Sequence, residues 1–103
     1  MNETDLIAKL TAGLPADGSV HTGPGDDCAV LKFGDQTLLF KTDAIVEGIH
    51  FERDAPPEKI GRKALARALS DIAAMAGTPT HALVTLGRCE DHDPEHLMQI
   101  YDG

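Results

Sequence analysis

The sequence predicts an α/β (α+β) domain in which a leading helix is followed by a β-β-α-β-α order and a three-stranded sheet. Three observations predict it. Two short apolar runs, Cys28–Phe33 and Thr37–Phe40, flank Gly34-Asp35, a tight-hairpin signal because glycine reaches positive φ without a steric penalty. Apolar residues then recur at helical spacing from Ile60 to Ala76, and a second helical pattern closes the chain. Between those two patterns His81–Leu86 alternates weakly and reads as a third strand.

In chain order, Leu6, Ile7, Leu10 and Leu14 give Glu3–Leu14 a helical stripe, with Thr4 or Asp5 as cap and Gly13 with Pro15 as the stop. Residues 15–26 carry three glycines and two prolines and read as loop. In the hairpin, a two-residue loop at Gly34-Asp35 sets Leu31 opposite Leu38 and Val30 opposite Leu39. At the open end it would set Asp26 opposite Asp43 and Asp27 opposite Thr42. Like charges across a ladder repel, so a hairpin mouth with three carboxylates calls for a cation or deep water. Ala44–Phe51 leaves the second strand and bends at Gly48, with Ile49 and Phe51 on one side and His50 on the other.

Asp54-Ala55-Pro56-Pro57-Glu58 opens a helix that runs to about Ala76 and stops at Gly77, with Pro79 beyond. Ile60, Ala64, Leu65, Ala68, Leu69, Ile72, Ala73, Met75 and Ala76 form one apolar arc, with Lys63, Arg67 and Ser70 outside it. Asp71 falls inside its margin, where an unpaired carboxylate is costly. Two partners are available to it: Arg67 one turn earlier, or a metal. Asp93-Pro94-Glu95 opens the last helix, with Leu97, Met98, Ile100 and Tyr101 apolar. Such a fold leaves an open sheet edge, and the chain reads as a single domain, 1–103, that is cut or completed by a partner.

The 103 residues suffice for one domain with a core. The hydrophobic fraction of 42% excludes disorder along the whole chain. A formal charge of -8 disfavours a nucleic-acid or anionic-membrane surface and suits a carboxylate-lined metal site. The acidic opening Met1–Asp5 predicts no signal peptide, and no run reaches the ~20 apolar residues of a membrane span, so a cytoplasmic protein is expected. Cys28 and Cys89 show no metal-ligand spacing, and Cys28 reads as a small buried hydrophobe.

Phosphate-loop fingerprints are absent around Gly23-Pro24-Gly25, as is a nucleophile elbow. His21, His81, His92 and His96 are scattered and read as surface or strand-end residues. His50 differs in lying just past the carboxylate hairpin, where it is either structural or a ligand-contacting group. Asp26, Asp27, Asp43 and Asp71, gathered from separate elements with Thr42 alongside, suit Mg²⁺ and hence phosphoryl transfer, where catalysis is mostly positioning and charge neutralisation.

The motifs GDDCAVL, TDAIVEGIHF and KALARALSDIAAMAGTP together resemble the N-terminal domain of the thiamine-monophosphate kinase family. That family sits in a superfamily with aminoimidazole ribonucleotide synthetase, selenide water dikinase and a hydrogenase-maturation factor. The resemblance spans residues 3–103. It implies ATP-dependent phosphorylation of thiamine monophosphate to the diphosphate, in line, over a magnesium cluster. It implies Asp27, Thr42, Asp43 and Asp71 as Mg²⁺ ligands, His50 against the thiamine-phosphate substrate, and Tyr101 near the ATP pocket. Asp26 becomes a supporting acid. It further implies a homodimer whose sheets close into a central barrel, and a C-terminal domain, with further metal acids and much of the ATP site, that this chain does not contain.

Two departures bear on the chemistry. Lys41 stands where the family places a small hydroxyl residue that helps hold one magnesium, and a protonated amine cannot ligate a metal. Without the second domain, the 103 residues are expected to bind metal weakly and turn over little. The alternatives are another ATP-dependent enzyme of the superfamily or a non-catalytic dimerisation or metal-binding module. The selenide enzyme is disfavoured, since no reactive cysteine with a lysine stands near the N-terminus.

Overall fold

The computed structural model describes residues 2–23 and 25–103; the readings made at Met1 and Pro24 lie outside them. The elements run α1 (Glu3–Thr11), β1 (Val20–Thr22), β2 (Ala29–Phe33), β3 (Gln36–Phe40), α2 (Pro57–Ala74) and α3 (Pro94–Asp102). They fall into two compact units, Met1–Lys41 and Thr42–Gly103.

In the first unit, α1 is capped by Asn2, whose side chain accepts the Asp5 N–H at 2.8 Å. The cap is therefore Asn2, one turn ahead of the Asp5 donor, and not Thr4 or Asp5. The helix stops at Thr11, whose hydroxyl donates to the Ile7 carbonyl. The sheet order is β1-β2-β3, antiparallel throughout. The β2–β3 register pairs Leu31 with Leu38 and Val30 with Leu39 around Gly34-Asp35, as the hairpin reading requires. Gly34 takes φ +65° and Asp35 does not turn left-handed, the type II′ combination that suits strand twist. Cys28, just ahead of β2, is 2% exposed, the buried small hydrophobe expected of it.

The sheet differs from expectation in its third member. Val20–Thr22, inside the stretch read as loop, is a strand paired to β2 through an irregular register. It is delivered by a turn in which Asp17 accepts the Ser19 N–H and hydroxyl, and the Lys32 N–H donates to the Ser19 carbonyl. Ser19's hydroxyl and backbone hydrogen bonds hold the Asp17 carboxyl below its ordinary range. His81–Leu86 is no strand; the whole segment is exposed, with Leu83 at 97%. Weak alternation does not make a strand without a ladder partner.

In the second unit, α2 begins with Pro57 in its first turn. Its covered stripe is narrower than the predicted arc: Ile60 is buried and Ala64, Arg67, Ala68, Asp71, Ile72 and Met75 are half-buried, while Leu65 and Leu69 remain exposed. Arg67, placed outside the arc by periodicity, thus lies on the covered face. The helix ends in a Schellman arrangement, Ala76 N–H to the Ala73 carbonyl and Gly77 N–H to the Ile72 carbonyl. Here Ala76, and not Gly77, takes the left-handed conformation at φ 58°. α3 is capped by Asp93, which accepts the Glu95 N–H. It packs on α2 so closely that a Cβ at Gly61 would overlap the Ile100 carbonyl.

Two stability outcomes follow. Gly61→Ala forces the helix pair apart and lowers stability by about 1–3 kcal/mol, although alanine is the better helix former. Ala76→Gly relieves the left-handed residue and raises stability by roughly 0.5–1 kcal/mol. Urea unfolding of the two variants against the parent checks both signs.

Candidate metal and substrate site

The β2–β3 ladder ends at Ala29–Phe40, and from Lys41 to Val46 the chain carries no strand. The ladder that would have opposed Asp26 to Asp43 and Asp27 to Thr42 therefore does not extend to them. What orders the next segment is a turn built on Val46. The Val46 carbonyl accepts the N–H of Ile49 at 3.1 Å and of His50 at 2.8 Å. Its own N–H donates to His50 Nδ1 at 2.8 Å. Gly48, at φ +83°, sends its N–H to the Phe51 carbonyl at 2.7 Å. The half-buried His50 ring is fixed by this turn: with Nδ1 accepting, the neutral imidazole carries its proton on Nε2. Structural anchor and ligand contact are thus compatible roles for one residue, using different nitrogens.

Helix α2 holds this segment from the other side. Lys63 Nζ donates to the His50 carbonyl, and Arg67 Nε lies 3.8 Å from Asp43 Oδ2. Lys63, Arg67 and Asp71 are spaced by four, so they share one face of the helix. Asp43 also accepts the Ala44 N–H through Oδ1 at 2.8 Å. Although its backbone is exposed, the Asp43 side chain is only 23% exposed. At that distance, with Arg67 40% exposed, the ion pair contributes roughly 0–1 kcal/mol; its consequence is orientation. Asp71 is half-buried and engaged within the fold.

Of the site residues read from the sequence, Asp43 and Asp71 therefore come to one face of α2, with Thr42 adjacent in the chain and His50 at the end of the same clamped segment. Asp27 belongs to the first unit, exposed in the bend before β2, with its N–H donating to Asp26 Oδ1 at 2.8 Å. Tyr101 is 74% exposed on α3 and borders an apolar recess of about 300 Å³ with Leu86, Leu97 and Met98. The Asp43 and Asp71 oxygens are hard donors of the kind a small divalent cation takes, although among the described residues neither belongs to a group of three candidate ligands with donor atoms within 4.8 Å of one another.

Sequence reasoning passed over two arrangements. The grip of Lys63 and Arg67 on residues 43–50 had a signal in the four-residue spacing of Lys63, Arg67 and Asp71, which was read only toward Asp71. The second is a polar cluster in which Arg53 donates to Asp91 at 2.8 Å and His92 Nε2 lies 3.5 Å from Glu47 Oε1. The hydrogen bond and charge of Arg53 hold the Asp91 carboxyl below its ordinary range. That contact is in place above a pH of about 4 and is lost as pH falls through the lowered value.

Residues 25–103 match the profile of the AIR synthase related protein, N-terminal domain. The chain belongs to that family. Among members of this AIR synthase related family it is similar to the thiamine-monophosphate kinases of Synechococcus elongatus and Bacillus subtilis. Each is 40% identical to it over 100% of this chain and 31% and 32% of its own length, respectively. The Mycobacterium tuberculosis thiamine-monophosphate kinase is 33% identical over 100% of this chain and 31% of its own length. The chain thus spans about a third of the length of the curated relatives it matches. No solved structure matches it. Among the described residues, no helix is long and apolar enough to cross a membrane.

Lys63→Ala frees the His50 carbonyl and loosens the turn. The amides of Gly48, Ile49 and His50 then exchange with solvent several-fold faster, while those of β2 and β3 are unchanged; hydrogen exchange read by NMR checks this.

Proposed function

We propose that the chain is the N-terminal part of an ATP-dependent kinase that phosphorylates thiamine monophosphate to thiamine diphosphate by direct in-line transfer. The observation that carries this is its similarity, over its whole length, to thiamine-monophosphate kinases, in a family domain whose candidate acids Asp43 and Asp71 share the face of α2 that grips residues 43–50.

In this reading Asp27, Thr42, Asp43 and Asp71 hold magnesium. Bound there, Mg²⁺ neutralises the phosphate oxygens between which the phosphoryl group moves. The chain's residues do the positioning: Arg67 keeps Asp43 turned toward the helix, and the Val46 turn presents His50 Nε2–H as a donor to the phosphate of thiamine monophosphate. Tyr101 and its apolar neighbours offer a face to the adenine of ATP. Lys41 places a fixed positive charge next to Thr42 in sequence, where a cation has less to gain. The remaining acids and most of the ATP site come from outside these 103 residues, so the chain alone turns over little.

We further propose a homodimer in the cytoplasm. Phe33 and Phe40 on the hairpin are 75% and 66% exposed, and Leu83 and Val84 are 97% and 65% exposed. Strand pairing across a two-fold would cover the open edge of β3.

In a full-length enzyme containing this chain, Asp71→Asn and Asp43→Asn should each lower the rate of thiamine diphosphate formation by about 10²–10³-fold. His50→Ala should raise KM for thiamine monophosphate more than it lowers kcat. Unchanged turnover in Asp71→Asn overturns the assignment of that carboxylate. Sedimentation of the chain at high concentration should show a dimer; a monodisperse monomer sinks the shared-sheet reading.

A further inference from the structure

Cys89, Asp91 and His92 offer one sulfur, one carboxylate oxygen and one ring nitrogen, all within 4.8 Å of one another. They are well apart in character from the carboxylate set on α2, and nothing in the phosphoryl-transfer reading uses them. We propose that this loop is a second metal site, for Zn²⁺ or another thiolate-preferring transition ion, with three protein ligands and a water.

The supports around the donors carry the proposal. A metal-bound histidine generally donates its other ring N–H to a carboxylate, which fixes the tautomer and raises the basicity of the ligating nitrogen. In His92, Glu47 Oε1 lies 3.5 Å from Nε2, at ion-pair range and not in a formed hydrogen bond. Nδ1 accepts the Cys89 N–H, so the neutral ring carries its proton on Nε2 and keeps a lone pair on Nδ1. That lone pair points at the start of the loop, where it now accepts the Cys89 N–H at 2.9 Å. A metal entering between Nδ1 and Cys89 Sγ exchanges one exposed amide hydrogen bond for a coordinate bond, and the amide turns to water. Asp91 has its own support: Arg53 Nη2 donates to Oδ2 at 2.8 Å, which orients the carboxylate.

With Zn–S about 2.3 Å and Zn–N and Zn–O about 2.0–2.2 Å, tetrahedral donors stand about 3.5 Å apart. Closing from the observed spread takes rotation of side chains on an irregular loop. Cys89 and Asp91 are exposed and can make that movement. His96 borders the same recess as Asp91 and His92, and the fourth position is left to water. The sulfur and imidazole donors select against Mg²⁺, so this site and the α2 site take different ions. Binding converts the Cys89 thiol to thiolate and releases its proton to buffer.

The test is Co²⁺ titration of this chain, reduced and metal-free, followed by competition with Zn²⁺. The expected result is thiolate-to-cobalt charge-transfer absorption, one equivalent bound, with Zn²⁺ displacing it and excess Mg²⁺ leaving it in place. Cys89→Ser should abolish the charge-transfer band, His92→Ala should weaken binding at least tenfold, and Glu47→Gln should weaken it by about tenfold. Asp43→Asn should leave it unchanged. Absence of the band in the parent chain, or its persistence in Cys89→Ser, overturns the proposal.

Discussion

The second unit depends on a helix holding down a stretch of chain that has no ladder of its own. Residues 42–51 leave the hairpin without entering another strand, so their backbone groups must be met otherwise. The Val46 turn satisfies several of them internally, and the two cationic side chains of α2, Lys63 and Arg67, tie down its two ends at the His50 carbonyl and the Asp43 carboxylate. Neither contact is strong, given how much solvent reaches Arg67. Their value is geometric: they bring an acid from an irregular segment to the face of the helix that already carries Asp71. A site assembled this way is sensitive to anything that shifts α2. Gly61 is where that helix meets α3 at backbone contact, so the packing of one pair of helices and the placement of one carboxylate are linked through a single rigid element.

The hairpin was legible because its signal is local. Gly34-Asp35 dictates the turn, the turn dictates the register, and Leu31–Leu38 and Val30–Leu39 follow. The helices were legible for the same reason, in their periodicity and in Pro57 and Pro94 at their starts. What could not be read depends on partners distant in sequence. Val20–Thr22 is three residues long between turn formers, too short to show alternation, and it is a strand only because β2 offers it an edge. His81–Leu86 has the better pattern and no ladder. Ala76 was passed over as a left-handed residue because glycine one position later is the stronger stop signal, yet the hydrogen bonds place Gly77 at the position after it. The Asp43–Arg67 pair joins a loop to a helix; the four-residue spacing of Lys63, Arg67 and Asp71 marks the helix face, but not which loop residue meets it. Arg67, which lies beside Asp43, had been read as a partner for Asp71.

The apolar surface also bears on how the chain works. Among the described residues, only Cys28 and Ile60 are buried hydrophobics, while the stripe of α1 is open, with Leu6, Ile7 and Leu10 exposed at 47%, 45% and 68%. A stripe at helical spacing is formed by sequence for burial, and isolated helices of this length are marginal in water. The chain spans about a third of the length of its relatives, and these faces stay open in it.

Donor chemistry then separates two regions of one unit. Around Asp43 and Asp71 the available atoms are carboxylate oxygens, with the Arg67 guanidinium beside Asp43. Around His92 they are a sulfur, an imidazole and a single oxygen, the last two each with an orienting neighbour. The two regions are joined through residues 47–53: Glu47 faces His92 and Arg53 holds Asp91, while His50, between them in sequence, is tied to α2 by Lys63. A change in charge at the Cys89 loop therefore acts on Glu47 and Arg53, which lie within and just beyond the Val46 turn.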